Sequence, residues 1–322
     1  MRFRESGRLD TSGVQDRRGR GGGGFGRGGV GGGGRGRGVA VGGGGLGLVG
    51  LVVIVLVQVL GDGGGSGGSG GSGTSAVGSV LEGLGSGQTA DNGSLEQSCD
   101  EVADANDSVD CAVAADIDSI QDYWGQVMGG SYQPADTVFF SGSVPTGCGG
   151  ATSGSGPFYC PADQLVYIDL TFFDDLQSRF GAEGGAFVNA YVIAHEYGHH
   201  VQDLLGTSSQ VDHGASGPTS GSVRLELQAD CYAGTWANHA ETVPDETGEP
   251  LILDITDDDI SRALDTAGRI GDDFIQENLG GGTVDESSFT HGSSEQRQRW
   301  FSTGYSTGDP NQCDTFGTDD LG

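Results

Sequence analysis

The sequence predicts an α+β fold that is predominantly helical and contains a small sheet. Apolar residues recur at helical spacing in several segments of the last two thirds of the chain. Short runs of β-branched and aromatic residues at 137–140 and 164–170 predict strands. Glycine and arginine are instead concentrated in the first third, which sets that part apart from the predicted domain.

Residues 1–38 form an arginine- and glycine-rich segment. They contain nine of the fifteen arginines and only Glu5, Asp10 and Asp16 as acidic residues, a net charge of +6. Because almost nothing in this segment can be buried, we expect a disordered cytoplasmic tail. Contact of the tail with RNA or anionic lipid is an additional hypothesis.

Residues 39–60 contain no charged residue, and their length suits one membrane crossing. Basic residues before the stretch and acidic residues after it predict a cytoplasmic N-terminus and an extracytoplasmic domain. A cleaved signal peptide is the alternative, but the long basic region and the lack of an A-x-A-like site favour an uncleaved signal anchor. Residues 61–94 are rich in glycine and serine and predict a flexible linker.

Residues 95–322 are long enough for one domain with a substantial core. Subtracting the +6 of residues 1–38 from the total of −30 leaves a charge of about −36 for the rest of the chain, which contains no lysine. This charge excludes nonspecific nucleic-acid binding by the folded domain. It favours basic or neutral peptides over acidic ones as binding partners.

All six cysteines follow the predicted span, which fits an oxidising exterior. Their spacing lacks the C-x-x-C pattern of thiolate metal sites. Pairing by proximity in sequence is one of 15 possible connectivities. It predicts the disulfides Cys99–Cys111, Cys148–Cys160 and Cys231–Cys313.

Periodicity and capping residues place the helices of the domain. The helices are expected at 112–127, 172–180, between Gly184-Gly185 and Gly206, at 222–239 with Ser222 as N-cap, at 256–269, and at 293–301 after a capping box. The turn-rich segment 141–161 is predicted to be held by the disulfide between Cys148 and Cys160.

The third of these helices contains the motif H-E-x-x-H. His195 and His199 lie four residues apart, so a helix places both imidazoles on one face, where they can bind the same zinc ion. Glu196 then lies beside the metal without binding it. A surface helix with two exposed histidines is the alternative, but the neighbouring Val188 and Val192 are apolar.

A catalytic zinc site uses three protein ligands and keeps one position open. The helix predicted at 222–239 offers Glu226 and Asp230, four residues apart on one face. One carboxylate can bind zinc while the other accepts the N–H of a ligand histidine. This spacing alone leaves both assignments open.

The sequence resembles the putative neutral zinc metallopeptidases of bacteria, which are often membrane-anchored and have a zincin-like domain. The resemblance covers about residues 112–316. It depends on the segments 156–161, 166–173, 195–202, 226–234, 290–297 and 313–316. It implies hydrolysis of peptide bonds. The longer arginine- and glycine-rich tail, the longer linker and the strong acidity differ from the family pattern but lie outside the site.

The E-x-x-A-D pattern is also similar to that of the integral-membrane CAAX-processing metalloproteases. This similarity implies that Glu226 is the third zinc ligand and that Asp230 supports a ligand histidine. His291 is a candidate donor to the oxyanion, with helix capping or core packing as the alternative. His200 is expected to be a packed neighbour, and His213 and His239 are expected to be solvated.

The sequence therefore predicts a membrane-anchored zinc metallopeptidase. A Zn²⁺ cofactor would activate a water molecule, from which Glu196 would take a proton as general base. The peptide or protein substrate is expected to lie extended against a strand edge near residues 166–170. The alternative is a non-catalytic cell-surface module with a structural zinc site and an acidic partner-binding surface.

Overall fold

The structure, a computed structural model, describes residues 1–18, 93–212 and 214–322. The helices in these ranges are α1 (Gly93–Ser98), α2 (Val109–Met128), α3 (Phe172–Ser178), α4 (Ala186–Leu204), α5 (Gly221–His239), α6 (Asp257–Arg269), α7 (Asp272–Asn278) and α8 (Ser294–Thr307). The strands are β1 (Arg2–Phe3), β2 (Val14–Asp16), β3 (Thr137–Phe139), β4 (Ser143–Thr146), β5 (Gly149–Thr152), β6 (Phe158–Cys160), β7 (Leu165–Ile168) and β8 (Ile252–Asp254). The predicted α+β, predominantly helical class is confirmed.

The main sheet has four strands in the order β2-β3-β7-β6. The strands β2, β3 and β7 are parallel, and β6 runs antiparallel to β7. Separate antiparallel pairs join β1 to β8 and β4 to β5. The strand β6 is therefore an outer strand of the main sheet, whereas β7 is internal.

Several predicted boundaries differ from the structure. The segment predicted as turns, 141–161, contains the hairpin β4–β5 and the strand β6, which are too short and too rich in glycine to show a clear alternating pattern. Ser220 rather than Ser222 caps α5, because its side chain accepts the N–H of Val223. The helix α8 continues to Thr307, where Gly308 in the left-handed conformation ends it.

The N-terminal segment folds against the rest of the chain. Its side chains Phe3, Leu9 and Val14 are buried in the hydrophobic core, and two short strands pair with distant ones. The prediction that residues 1–38 are disordered is therefore wrong for residues 1–18. The average composition of the segment concealed three apolar residues whose partners lie about ninety or more positions later in the chain. The remaining part of the predicted tail, the predicted span 39–60 and the linker as far as residue 92 lie outside the described residues.

Within the described ranges, no helix combines the length and the apolar character that a membrane crossing requires.

Three disulfides fasten the domain. The pairs Cys99–Cys111, Cys148–Cys160 and Cys231–Cys313 are all formed, so the predicted connectivity is confirmed. The second disulfide ties the β4–β5 turn to β6. The third ties α5 to the C-terminal segment.

The helix α4 lies at the centre of the domain and packs against α2, α5 and α6. The helix α5 packs against α4 on one side and tightly against α8 on the other. The contact with α8 is close because Gly304 lies directly against the backbone of Cys231 and leaves no room for a Cβ atom. The two long helices α4 and α5 are consequently held on both sides by packed structure. This rigid pair carries the motif residues predicted from the sequence.

A buried acid on α2 makes stability depend on pH. Asp116 is fully buried, and neither of its carboxylate oxygens has a hydrogen-bond partner among the described residues. Burial raises the pKa of Asp116 well above its usual value. The folded state therefore holds this proton more tightly than the unfolded chain does. The resulting stabilisation is present below the unfolded pKa and is lost as the pH rises towards the folded pKa.

The substitution Asp116→Asn should therefore gain stability relative to the wild type as the pH rises. The gain should reach up to about 1.4 kcal/mol per pH unit above roughly pH 4. Urea unfolding of both proteins between about pH 4 and pH 8 measures it. The exposed Asp319→Asn is the control and should show no such trend. If the difference in unfolding free energy between Asp116→Asn and the wild type did not change with pH, the account would be contradicted.

Candidate metal centre

The H-E-x-x-H residues lie in the middle of α4, as predicted. His195, Glu196 and His199 are all buried, so the alternative of a surface helix with exposed histidines is excluded. The helix begins after Gly185 and ends at Leu204, with Gly206 in the left-handed conformation two residues later.

A close approach of α4 and α5 brings the second pair of candidate residues to the motif. A Cβ atom placed on Gly198 would lie 3.0 Å from the Cα atom and 3.1 Å from the carbonyl oxygen of Ala229. Only glycine fits this position without displacing the facing backbone. This short distance between the helices brings Glu226 and Asp230 close to the two histidines. Glu226 lies one turn before Ala229, and Asp230 directly follows it.

Three donors converge between the two helices. One atom each of His195, His199 and Glu226 lies within 4.8 Å of the other two. The carboxylate of Glu226 is 3.2 Å from Nε2 of His195 and 3.5 Å from Nε2 of His199. Two imidazoles and one carboxylate are a donor set that zinc binds in hydrolases. The residues present therefore fit a zinc ion, and His195, His199 and Glu226 would hold it.

Asp230 orients the first histidine from behind. Its carboxylate lies 2.8 Å from Nδ1 of His195 and accepts a hydrogen bond from the hydroxyl of Tyr191 at 2.6 Å. Arg297 of α8 donates to the same carboxylate through Nε at 2.9 Å and Nη2 at 3.0 Å. This contact fixes the ring so that Nε2 faces Glu226. Asp230 thus lies against His195 and outside the set of three converging donors.

The second histidine has an equivalent support that the sequence reasoning missed. Nδ1 of His199 lies 2.9 Å from Oε1 of Gln202, whose amide nitrogen donates to the carbonyl of Leu225 at 2.7 Å and to Gln228 at 3.1 Å. Gln202 stands three residues after His199 on the same helix, a spacing that could have indicated the contact. Both imidazoles thus turn Nε2 towards the same point.

The charges of the centre depend strongly on one another. Burial opposes protonation of His195, but Asp230 and Glu226 raise its pKa to about 10. Burial likewise opposes ionisation of Asp230, but Arg297 and His195 lower its pKa to about 2. Burial also works against the Glu226 carboxylate, and His199 and His195 nevertheless hold its pKa well below the usual value. The carboxylates of the centre are therefore held in the ionised form, and a zinc ion would replace the proton on His195 because zinc binds the neutral imidazole.

Glu196 is buried on α4 but is not one of the three converging donors. The strand β6 packs against this helix. Burial raises the pKa of Glu196, while His195 and His199 act in the opposite direction. Glu196 is thus a buried carboxylate next to the three donors and adjacent to the outer strand.

His291 lies in the loop before α8 and is buried. Its Nδ1 atom is 3.1 Å from Oδ1 of Asp272. The other oxygen of Asp272 accepts the backbone N–H groups of Thr290, His291 and Gly292. Burial lowers the pKa of His291, but the opposing effect of Asp272 and Glu226 is larger, so the pKa is raised overall. Within the described part of the chain Nε2 of His291 forms no hydrogen bond.

The other predictions about histidines and strands have mixed outcomes. His200 is a packed neighbour, as predicted, and its ring nitrogens contact Tyr159 and Gln133. The prediction that His239 is solvated is wrong, because it is half-buried and stacks on Tyr123. His213 lies outside the described residues.

The predicted edge for an extended substrate is also wrong. Residues 165–168 form β7, which has β3 and β6 on its two sides. Among the described strands the outer one on this side of the sheet is β6, which packs against α4 and whose three residues gave no clear signal in the sequence.

The fold and these side chains define a candidate metal centre of the H-E-x-x-H type with a downstream glutamate. The model of one protein family, described as putative neutral zinc metallopeptidase, matches residues 1–316, and the chain belongs to this family.

Two relatives of the chain have names that assign no activity. The chain is 51% identical over 225 residues to the uncharacterized protein Rv2575 of Mycobacterium tuberculosis (strain ATCC 25618 / H37Rv), covering 70% of this chain and 76% of that protein. It is 43% identical over 249 residues to the uncharacterized protein YpfJ of Escherichia coli (strain K12), covering 74% of this chain and 82% of that protein. No solved structure matches the chain. The zincin-like assignment therefore stays a prediction.

The contact at Gly198 can be tested directly. Gly198→Ala should push α5 away from α4 and weaken zinc binding by about tenfold or more, the size of effect seen when the support of a zinc ligand is lost. Competition with a zinc chelator measures the affinity. Gly125→Ala in α2 is a matched control, since its Cβ atom would meet only Tyr132 at 4.0 Å. Equal zinc affinities of Gly198→Ala and wild type would contradict the account.

Proposed function

We propose that the protein is a zinc-dependent peptidase that hydrolyses peptide bonds with Glu196 as general base. The observation that carries the proposal is the pairing of three convergent donors with a fourth residue, the acid Glu196, which lies next to them but outside the donor set. A purely structural site needs no such carboxylate. The family's description supports zinc and peptide hydrolysis.

The chain's residues divide the chemistry among them. His195, His199 and Glu226 would hold the zinc ion. Zinc bound in such a site lowers the pKa of a water molecule and polarises the carbonyl of the scissile bond. Glu196 takes a proton from the attacking water on its carboxylate and passes the proton to the leaving amine. The buried position of Glu196 in the middle of α4 restricts the movement of this carboxylate.

His291 would stabilise the negative oxygen that develops during the attack. Asp272 accepts from Nδ1 of His291 and from three consecutive backbone N–H groups, so it fixes both the ring and the loop that carries it. Because the pKa of His291 is raised, its imidazolium form is favoured, and in that form Nε2 also carries a proton that it can donate. Asp272 would therefore act as a positioning residue.

The substrate would lie extended along the outer edge of β6. Among the described residues that edge has no partner strand, and β6 packs against the helix that carries Glu196. A peptide that adds a strand there gains main-chain hydrogen bonds while its scissile bond passes the donor set. Because the domain is strongly acidic, we expect basic or neutral peptides to be preferred.

We also propose that the catalytic domain lies outside the cytoplasm and is attached to a membrane through the apolar residues 39–60, with residues 1–18 on the same side of the membrane as the domain. The three disulfides support an oxidising compartment. The apolar composition of residues 39–60 supports the attachment.

The exchange Glu196→Gln tests the general base. It keeps the size of the side chain but removes the proton acceptor, so the full-length variant should bind zinc normally and cleave a peptide library about 10²- to 10⁴-fold more slowly. Zinc content and initial rates are measured on the same preparation. Glu246→Gln, the same exchange at an exposed position, is the control. A variant at position 196 that cleaves at the wild-type rate would exclude the role. An inactive wild type that retains stoichiometric zinc would favour the non-catalytic module.

His291→Gln should lower kcat by about 10²- to 10³-fold with little change in KM, because a donor to the developing oxyanion acts mainly in the transition state. Asp272→Asn should reduce kcat by a smaller factor. The double variant should be no slower than His291→Gln alone, since Asp272 acts through that ring.

Zinc content distinguishes this role from metal binding. All three variants should retain stoichiometric zinc. Loss of zinc on His291→Gln would instead show that His291 is a fourth ligand and that the site is closed. Additive losses in kcat would contradict the positioning role of Asp272.

A further inference from the structure

We infer that residues 1–18 lie on the same side of any membrane as the catalytic domain, because they are an integral part of its fold. The chain therefore cannot cross a membrane only once between residues 18 and 93. This inference does not depend on the proposed peptidase activity. It depends on two strand pairings and on the burial of the segment between them.

The first attachment is the strand β1. Arg2 and Phe3 pair with Asp254 and Ile252 of β8. The backbone N–H of Phe3 donates to Asn106 at 2.9 Å, and the side-chain amide of Asn106 donates back to the carbonyl of Phe3 at 3.2 Å. The Phe3 side chain is 1% exposed. The N-terminal strand is thus bound through both its backbone and its side chain.

Charged groups reinforce this attachment. The buried guanidinium of Arg4 donates to the carboxylate of Asp245 at 2.7 Å and to the backbone carbonyl of Glu249 at 3.1 Å. The backbone N–H of Arg4 donates to the carbonyl of Leu251 at 2.9 Å. A buried arginine needs specific acceptors, so these matched contacts indicate that the segment is an integral part of the fold.

The second attachment is the strand β2, which forms the outer strand of the main sheet opposite β6. It pairs in parallel with β3, residue by residue from Val14–Thr137 to Asp16–Phe139. The segment continues with Arg18, which contacts Asp110 at 2.7 Å and lies over the ring of Phe139. Residues 14–18 therefore cover the edge that β3 would otherwise expose.

Removal of the segment would damage the domain. Phe3, Leu9 and Val14 belong to the same hydrophobic core as the helices around the metal centre. Without β2, the strand β3 would present unpaired backbone groups to solvent, which invites edge-to-edge association. Complete folding of the catalytic domain consequently requires residues 1–18 in its own compartment. The match of the family model from residue 1 onwards agrees with this requirement.

A single membrane crossing would make this fold impossible within one chain. Residues 1–18 would lie on one side of the membrane and their partner strands on the other. The structure thus replaces the sequence-based expectation of a cytoplasmic N-terminus with one in which both ends of the segment 19–92 lie on the same side.

Cysteine labelling of the full-length chain in intact cells tests the inference. All six native cysteines are in disulfides, so an introduced cysteine is the only free thiol. Ser12→Cys reports on the N-terminal segment and Ser209→Cys on the catalytic domain, and both positions are exposed. A membrane-impermeant maleimide should label both variants or neither. Lysed cells, in which both must be labelled, provide the control. Labelling of only one variant in intact cells would overturn the inference.

A cross-link tests the docking itself. Arg2 and Asp254 are exposed partners in the β1–β8 pair, and paired residues in antiparallel strands lie within disulfide reach. The double variant Arg2→Cys with Asp254→Cys should form an additional disulfide, which peptide mass mapping detects within one chain. The two single variants are the controls. A double variant that keeps two free thiols under oxidising conditions would contradict the docking.

Discussion

The contact between Gly198 and Ala229 is the constraint on which the candidate centre depends. It lets α4 and α5 approach so closely that Glu226 meets the two motif histidines. A larger residue at position 198 would separate a donor set whose atoms must lie within a few ångströms of one metal ion. The supports of the ligands follow from the same approach, since Asp230 and Gln228 reach α4 from the same helix.

The rest of the domain holds this helix pair in place. The helix α8 packs against α5 and contributes Arg297, which neutralises the buried carboxylate behind His195. The N-terminal segment covers β3 at one side of the main sheet, and β6, which packs against α4, is the outermost described strand at the opposite side. The N-terminal segment thereby protects β3 from association, and the proposed function assigns the edge of β6 to a peptide.

The sequence predicted the features that depend on local spacing. The motif helix, the spacing of Glu226 and Asp230, the two short-range disulfides and the capping box of Ser293 all follow from residues close together in the chain. The third disulfide, Cys231–Cys313, spans 82 residues and followed only because the other four cysteines were already paired. Features made by distant partners were missed. The two-residue strand β1 pairs with residues about 250 positions later, and the network from His199 through Gln202 needs the neighbouring helix. No local pattern encodes such partners.

The central claim is that His195, His199 and Glu226 form an open zinc site. A crystal structure of the full-length protein with zinc, with anomalous diffraction recorded at the zinc absorption edge, tests it most directly. The account predicts one strong peak at about 2.0–2.2 Å from both Nε2 atoms and the Glu226 carboxylate, with a fourth position not filled by protein. A peak elsewhere, or a fourth protein ligand such as His291, would contradict it.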